Sequence, residues 1–206
     1  MKAAYHYTKG YRLLGIIKDS RLLSVESLWG ERLTSGDRWV WLTRDEKYPK
    51  TALPAIEKLP QTLLTNQLKS PQEVNLLDVA SHVGGIWRFK FDLDQHPEIK
   101  PWFGSLQRSR LIRKKVGKVL EGTAKAVGEN VSLWSIAVNK LSIGDSVLQQ
   151  LTPQGWLDRL IFAGHGAEMT VENLEGFDPG KIMKDSSLVS NRITEKLRDT
   201  DLTLIV

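Results

Sequence analysis

Residues 86–93, Ile86-Trp87-Arg88-Phe89-Lys90-Phe91-Asp92-Leu93, alternate apolar and charged side chains without a break. Trp87, Phe89, Phe91 and Leu93 fall on one side of an extended chain, and Arg88, Lys90 and Asp92 on the other. That is the pattern of an antiparallel strand with one face buried and one solvated. A helix would scatter the four large side chains around its axis, so this stretch commits the chain to a sheet. Further strand signals lie on both sides of it. Ala3 to Thr8, Trp39-Val40-Trp41-Leu42-Thr43 and Ser132 to Val138 are rich in aromatic and β-branched residues, and Arg21-Leu22-Leu23-Ser24-Val25 reads as an extended segment. Val147 to Leu151 and Leu157 to Phe162 read as a hairpin about Thr152-Pro153-Gln154-Gly155. Six or more short strands with few helices between them predict an α+β fold.

The first of these strands carries chemistry. Ala4, His6 and Thr8 alternate with Tyr5 and Tyr7, so a titratable face lies opposite an aromatic one. The expected arrangement packs the strand through its tyrosines and shows His6 to a cleft. After a two- or three-residue break, Leu13, Leu14, Ile16 and Ile17 set out an amphipathic helix over Tyr11 to Asp19. Without a motif around it, a histidine like His6 is an ordinary hydrogen-bonded residue at a sheet edge. Trp39 and Trp41 are ordinary core residues on the same terms.

The longest helical pattern spans residues 105–127. Its apolar stripe runs through Ile112, Val116, Val119, Leu120, Thr123 and Val127, and it is ringed by Arg108, Arg110, Arg113, Lys114, Lys115, Lys118 and Lys125. Such a charge run is first a solvated helix face. Arg110, Lys114 and Lys118 recur at four-residue spacing, which also suits a surface tracking nucleic-acid phosphates. The net charge of +5 leans the same way. Four prolines between residues 48 and 72 exclude one long helix there.

Several chemistries are excluded or set aside. With no cysteine there is no disulfide or thiolate metal site, and the four scattered histidines have no zinc spacing. Gly176-Phe177-Asp178-Pro179-Gly180-Lys181-Ile182 is one residue short of a phosphate loop and has Ile where a hydroxyl belongs, so it reads as a turn. Gly164-His165-Gly166 reads as a flexible hinge into an acidic tail, with a helix over 187–198 and an apolar end at Leu202 to Val206. No run approaches transmembrane length and no signal-peptide core is present, so a cytoplasmic protein without a membrane partner is expected. Two regions are expected: a domain over 1–164 and an extension over 165–206 packed on it or trailing from it.

The Tyr5-His6-Tyr7-Thr8 strand, the short helix after it and the later Val40-Trp41-Leu42-Thr43 strand together resemble the opening of ADP-ribosyltransferase-like proteins. That class includes RNA 2′-phosphotransferases and DNA-modifying toxins, and the likeness is to its small bacterial and phage members. It covers roughly residues 3–162 and rests on short motifs. The resemblance implies a split antiparallel β-core with flanking helices and an NAD-binding cleft. It implies that His6 holds a ribose hydroxyl, with Thr8 beside it and Thr43 on the second strand. Tyr7, Tyr11 and Trp41 are the candidates to stack on nicotinamide. Departure of nicotinamide passes through an oxocarbenium-like state, so a site of this kind orients the ribose, excludes water and supplies negative charge.

The class places its catalytic acid, a Glu, on a late strand. Here that strand reads Val147-Leu148-Gln149-Gln150-Leu151. Gln149 and Gln150 therefore stand as the catalytic candidates beside His6. Three functions are expected in turn. The first is transfer of ADP-ribose from NAD to a macromolecular acceptor, nucleic acid being favoured by the basic surface. The second is a non-catalytic nucleic-acid- or protein-binding module of the phage or bacterial defence and counter-defence type. The third is transfer of an RNA 2′-phosphate to NAD, which needs a basic phosphate pocket near His6.

Overall fold

A computed structural model describes residues 2–23, 39–47, 77, 80, 84–103, 121, 122, 124–126 and 128–174. Ten strands occupy about half of them: β1 (Ala3–Lys9), β2 (Arg21–Leu23), β3 (Trp39–Thr43), β4 (Ile86–Asp92), β5 (Lys100–Pro101), β6 (Trp134–Val138), β7 (Lys140–Ser142), β8 (Ser146–Thr152), β9 (Gly155–Ala163) and β10 (Thr170–Asn173). One helix, α1 (Gly10–Asp19), follows β1. Eight strands form an antiparallel sheet in the order β10-β9-β8-β4-β1-β3-β6-β5, and β2 pairs with β7 in a separate ribbon. This is the expected α+β architecture. Among the described residues no helix is long and apolar enough to cross a membrane.

The sheet is buried on both faces, by different means. On the first face Ala4 of β1, Val40 and Leu42 of β3, Trp87, Phe89 and Phe91 of β4, and Leu148 of β8 form one apolar core. Leu13 of α1 and Leu22 and Leu141 of the ribbon cover it. Each such side chain contributes about 2 kcal/mol by leaving water. On the second face Trp39, Trp41, Trp102, Trp134 and Ile136 cluster beneath β3 and β6. Beneath β1, β4 and β8 the second face is polar, and Arg88 is 4% exposed there. The expectation that β4 is solvated on its charged side is therefore overturned at Arg88, which other strands cover.

Local chemistry explains how the first unit turns. The expected break between strand and helix is absent: α1 begins directly after Lys9, and the Gly10 N–H donates to the Gly85 carbonyl at 2.9 Å. A Cβ on Gly10 would lie 1.8 Å from the Gly84 oxygen, so only glycine lets the chain turn there. The helix stops at Ser20, which takes a left-handed conformation and donates its N–H to the Ile16 and Ile17 carbonyls.

The hairpin forms as expected, with Thr152 opposite Gly155 and a bulge near Leu148 and Gln149. Gly164-His165-Gly166 is not a free hinge. His165 Nε2 sits 2.8 Å from Asp145 Oδ2, and the Gly164 N–H donates to Asp145 Oδ1 at 2.7 Å. Beyond it β10, Thr170–Asn173 of the expected extension, adds an edge strand to β9 in the same sheet. The proline-rich region, most of the basic helix, the Gly176–Ile182 turn, the 187–198 helix and the apolar C-terminal stretch lie outside the described residues.

Candidate functional site

β1 is joined very differently to its two neighbours. With β4 it shares seven register pairs, from Ala3 opposite Asp92 to Lys9 opposite Ile86. With β3 it shares one, Tyr5 opposite Thr43. A continued ladder would bring Tyr7 opposite Trp41, but the strands part before that point. His6 takes over where the backbone ladder ends: its Nδ1 lies 2.8 Å from the Trp41 carbonyl oxygen. A carbonyl only accepts, so Nδ1 carries the proton, and in the neutral ring Nε2 presents a lone pair. Among the described residues nothing hydrogen-bonds to Nε2, and the side chain is half-buried rather than sealed.

The electrostatics hold this state. Burial pushes the His6 pKa below its usual 6.5 against the opposing effect of the Trp41 carbonyl, and the Arg12 guanidinium lowers it further. Lys9, half-buried at the end of β1, has its pKa lowered by burial and by Arg12. Arg12 is thus the cation whose charge acts on both the neutral His6 imidazole and Lys9.

The residues singled out from the sequence divide between the two faces. His6, Thr8 and Gln150 share the first face, because Thr8 stands opposite Trp87 and Trp87 opposite Gln150. This is also the core face, where Ala4 and Thr8 are buried, while Tyr5, 2% exposed, is buried on the other face, so the strand packs through Tyr5 as expected and through the His6 side as well. Gln150 accepts from Arg159 Nε at 3.0 Å. Tyr7, Trp41, Thr43 and Gln149 lie on the second face. The Trp41 ring is 4.8 Å from Trp102 and 5.4 Å from Trp134, between centroids, so it belongs to the tryptophan cluster while its carbonyl serves His6. Thr43 Oγ1 accepts from the Asp45 N–H at 3.0 Å. Gln149, 6% exposed, does not converge with His6, since side chains one residue apart on β8 point to opposite faces. The backbone of Tyr11 opens α1. Arg110, Lys114 and Lys118 lie outside the described residues.

What the sequence did not reveal is the polar centre of the second face. Arg88 of β4 stands opposite Tyr7 on one side and Gln149 on the other. Its guanidinium is centred 4.2 Å from the Tyr5 ring and 4.2 Å from the Trp156 ring, a cation held between aromatic groups. Arg88 Nε donates to Gln149 Oε1 at 2.6 Å, and Gln149 Nε2 donates to Asp158 Oδ1 at 2.6 Å. Arg88 Nη1 donates to the Tyr7 hydroxyl at 3.2 Å and to the Glu46 carbonyl at 2.7 Å. The tyrosines complete the set: Tyr5 donates to Glu46 Oε1 at 2.8 Å, and Tyr7 to the Asp45 carbonyl at 3.1 Å. Both phenols are pushed up to about 12, chiefly by burial, so both remain donors at neutral pH. The signal in the sequence was a cation inside an aromatic strand, but its partners depend on register across β1, β4 and β8.

No described carboxylate is bonded to His6, and several are bonded elsewhere. Glu46 accepts from Tyr5, Glu121 from Trp102, Glu129 from Trp134, and Asp158 from Gln149, while Asp145 accepts from Gly164 and faces His165. No group of three or more His, Asp or Glu side chains among the described residues is placed to hold a metal ion. No protein-family model, curated protein or solved structure matches this chain.

Proposed function

We propose that the protein is an NAD-binding, ADP-ribosyltransferase-like protein that transfers ADP-ribose to a macromolecular acceptor, nucleic acid being the favoured class. The observation that carries this reading is His6 at the mouth of the β1–β3 split, with Nδ1 committed to the Trp41 carbonyl and Nε2 left as an acceptor. A lone pair fixed in that way suits a ribose hydroxyl, which can donate to it. Arg12, whose charge reaches His6, suits the pyrophosphate of a dinucleotide. In this reading His6 orients the ribose with Thr8 beside it, and Gln150, on the same face, is the late-strand residue that remains in play. Gln149 has a bracing role instead, and Tyr7 and Trp41 face the wrong way to stack beside His6, while the side chain of Tyr11 lies outside the described part of the structure. The reading predicts that the full chain binds radiolabelled NAD in equilibrium dialysis, and that His6→Ala weakens binding about tenfold, the size of one hydrogen bond. Incubation with candidate DNA, RNA and protein acceptors then reads transfer. Absence of NAD binding by the intact chain overturns the proposal.

The distribution of carboxylates favours a second reading. With Glu46, Glu121, Glu129 and Asp158 each bonded to another side chain, no described acid is committed to His6, so the split fits binding without transfer. A non-catalytic nucleic-acid- or protein-binding module keeps its partner in the His6→Ala variant. If the partner is nucleic acid, it loses affinity when Arg110, Lys114 and Lys118 are neutralised, with a steep salt dependence.

A further inference from the structure

We infer that Arg88 is a positioning residue for His6, acting through the sheet from its opposite face. One register pair between β1 and β3 cannot by itself set how closely the parted strands approach. Side chains span the remainder, and apart from His6 they converge on the 44–47 turn that leaves β3. Tyr5 holds the Glu46 carboxylate, Tyr7 holds the Asp45 carbonyl, and Arg88 holds the Glu46 carbonyl and the Tyr7 hydroxyl. Arg88 is the member that ties this turn to the continuous half of the sheet, because Gln149 of β8, itself bonded to Asp158 of β9, braces its Nε. The rings of Tyr5 and Trp156 leave the guanidinium little room to turn.

The turn is in register with the imidazole. Asp45 bonds back to Thr43 Oγ1, Thr43 is the residue paired with Tyr5, and Trp41 lies two residues before it. Releasing the turn lets β3 move against β1, and the carbonyl that selects the His6 tautomer moves with it. Arg88 thereby decides which His6 nitrogen carries the proton, although it lies across the sheet from the ring. The backbone bond between β1 and β3 gives way before the seven-pair seam with β4, so the effect is confined to the split.

The imidazole state is read in the ligand-free protein, so this inference goes beyond the NAD reading and fails or holds apart from it. Long-range ¹⁵N–¹H correlation spectra of the intact chain report the tautomer of each histidine, and the signals lost in His6→Ala identify His6. The wild type is expected to hold the Nδ1–H form. Arg88→Met is expected to shift the ratio toward Nε2–H by about fivefold, the effect of losing one hydrogen bond. Arg88→Lys retains a donor for the Glu46 carbonyl but not the Gln149 brace, so it is expected to fall between the two. Should Arg88→Met fail to fold, Gln149→Leu and Tyr5→Phe each remove one part of the brace, and each is expected to shift the ratio in the same direction. An unchanged His6 tautomer in folded Arg88→Met, or in both of the milder variants, overturns the inference. Loss of NAD binding with an unchanged tautomer counts against the ligand reading alone.

Discussion

The two neighbours of β1 illustrate two ways of joining strands. Toward β4, seven register pairs and the facing rings of Trp87, Phe89 and Phe91 make a seam of backbone bonds over an apolar core. Toward β3, one pair is supplemented by side chains: His6 to Trp41, Tyr5 to Glu46, Tyr7 to Asp45. Backbone ladders hold regardless of which residues occupy them, whereas side-chain bridges depend on identity and protonation. The first seam supports the fold, and the second is where a small chemical change is felt. A strand pair left mostly unladdered, yet bridged by a titratable group, is the seam whose geometry depends on a protonation state.

Four variants break or sharpen that contrast. The largest effect is expected at Phe89, fully buried and directly opposite His6 on the seven-pair seam. Phe89→Ala leaves a cavity in the core and is expected to cost about 4 kcal/mol, read as a lower denaturation midpoint at an unchanged slope. Gly10→Ala comes next, because its Cβ would meet the Gly84 carbonyl backbone at the end of the same seam. A backbone collision cannot be relieved by a rotamer, so a loss of about 3 kcal/mol is expected in the same titration.

On the one-pair side the costs are smaller and more local. Tyr5→Phe removes the bond to Glu46 while keeping the ring against Arg88. It is expected to cost about 1 kcal/mol, with faster amide exchange confined to β3 and residues 44–47. A global loss as large as that of Gly10→Ala would erase the distinction between the seams. The smallest effect concerns pH. The folded His6 pKa lies below 6.5, so the unfolded chain binds its proton first as pH falls. The stability associated with neutral His6 is therefore complete above pH 6.5 and is lost as pH drops through the lowered folded value. The difference in melting temperature between wild type and His6→Gln is expected to narrow over that window. A difference constant with pH would show that His6 titrates alike in both states.

Much of the sheet was legible because its signals are local. Alternation over residues 86–93 marks β4, the aromatic run at 39–43 marks β3, and Pro153-Gln154 between two apolar runs marks the β8–β9 hairpin. β10 was not legible, since Thr170-Val171-Glu172-Asn173 is exposed throughout and carries no burial pattern to read. The site was legible only in part. His6 stood out by type and alternation, but its face could not be assigned: a strand with alanine, histidine and threonine on one side and tyrosines on the other reads naturally as packing through the tyrosines. The structure buries both sides, because Glu46, the Asp45 carbonyl and Arg88 offer the phenols polar partners while Phe89 and Trp87 fill the space around the smaller side chains.

By itself the sequence determined most of the strands, the helix after β1 and the presence of a histidine between two tyrosines. Periodicity and propensity act over a few residues and are written along the chain. Only the tertiary structure decided that β1 parts from β3 after one pair, that the Trp41 carbonyl turns His6 into an acceptor, and that Arg88 is buried between Tyr5 and Trp156. Those properties belong to pairs of residues 35 or more positions apart along the chain, as His6 and Trp41 are. Register sets them, and register is settled by the whole sheet at once.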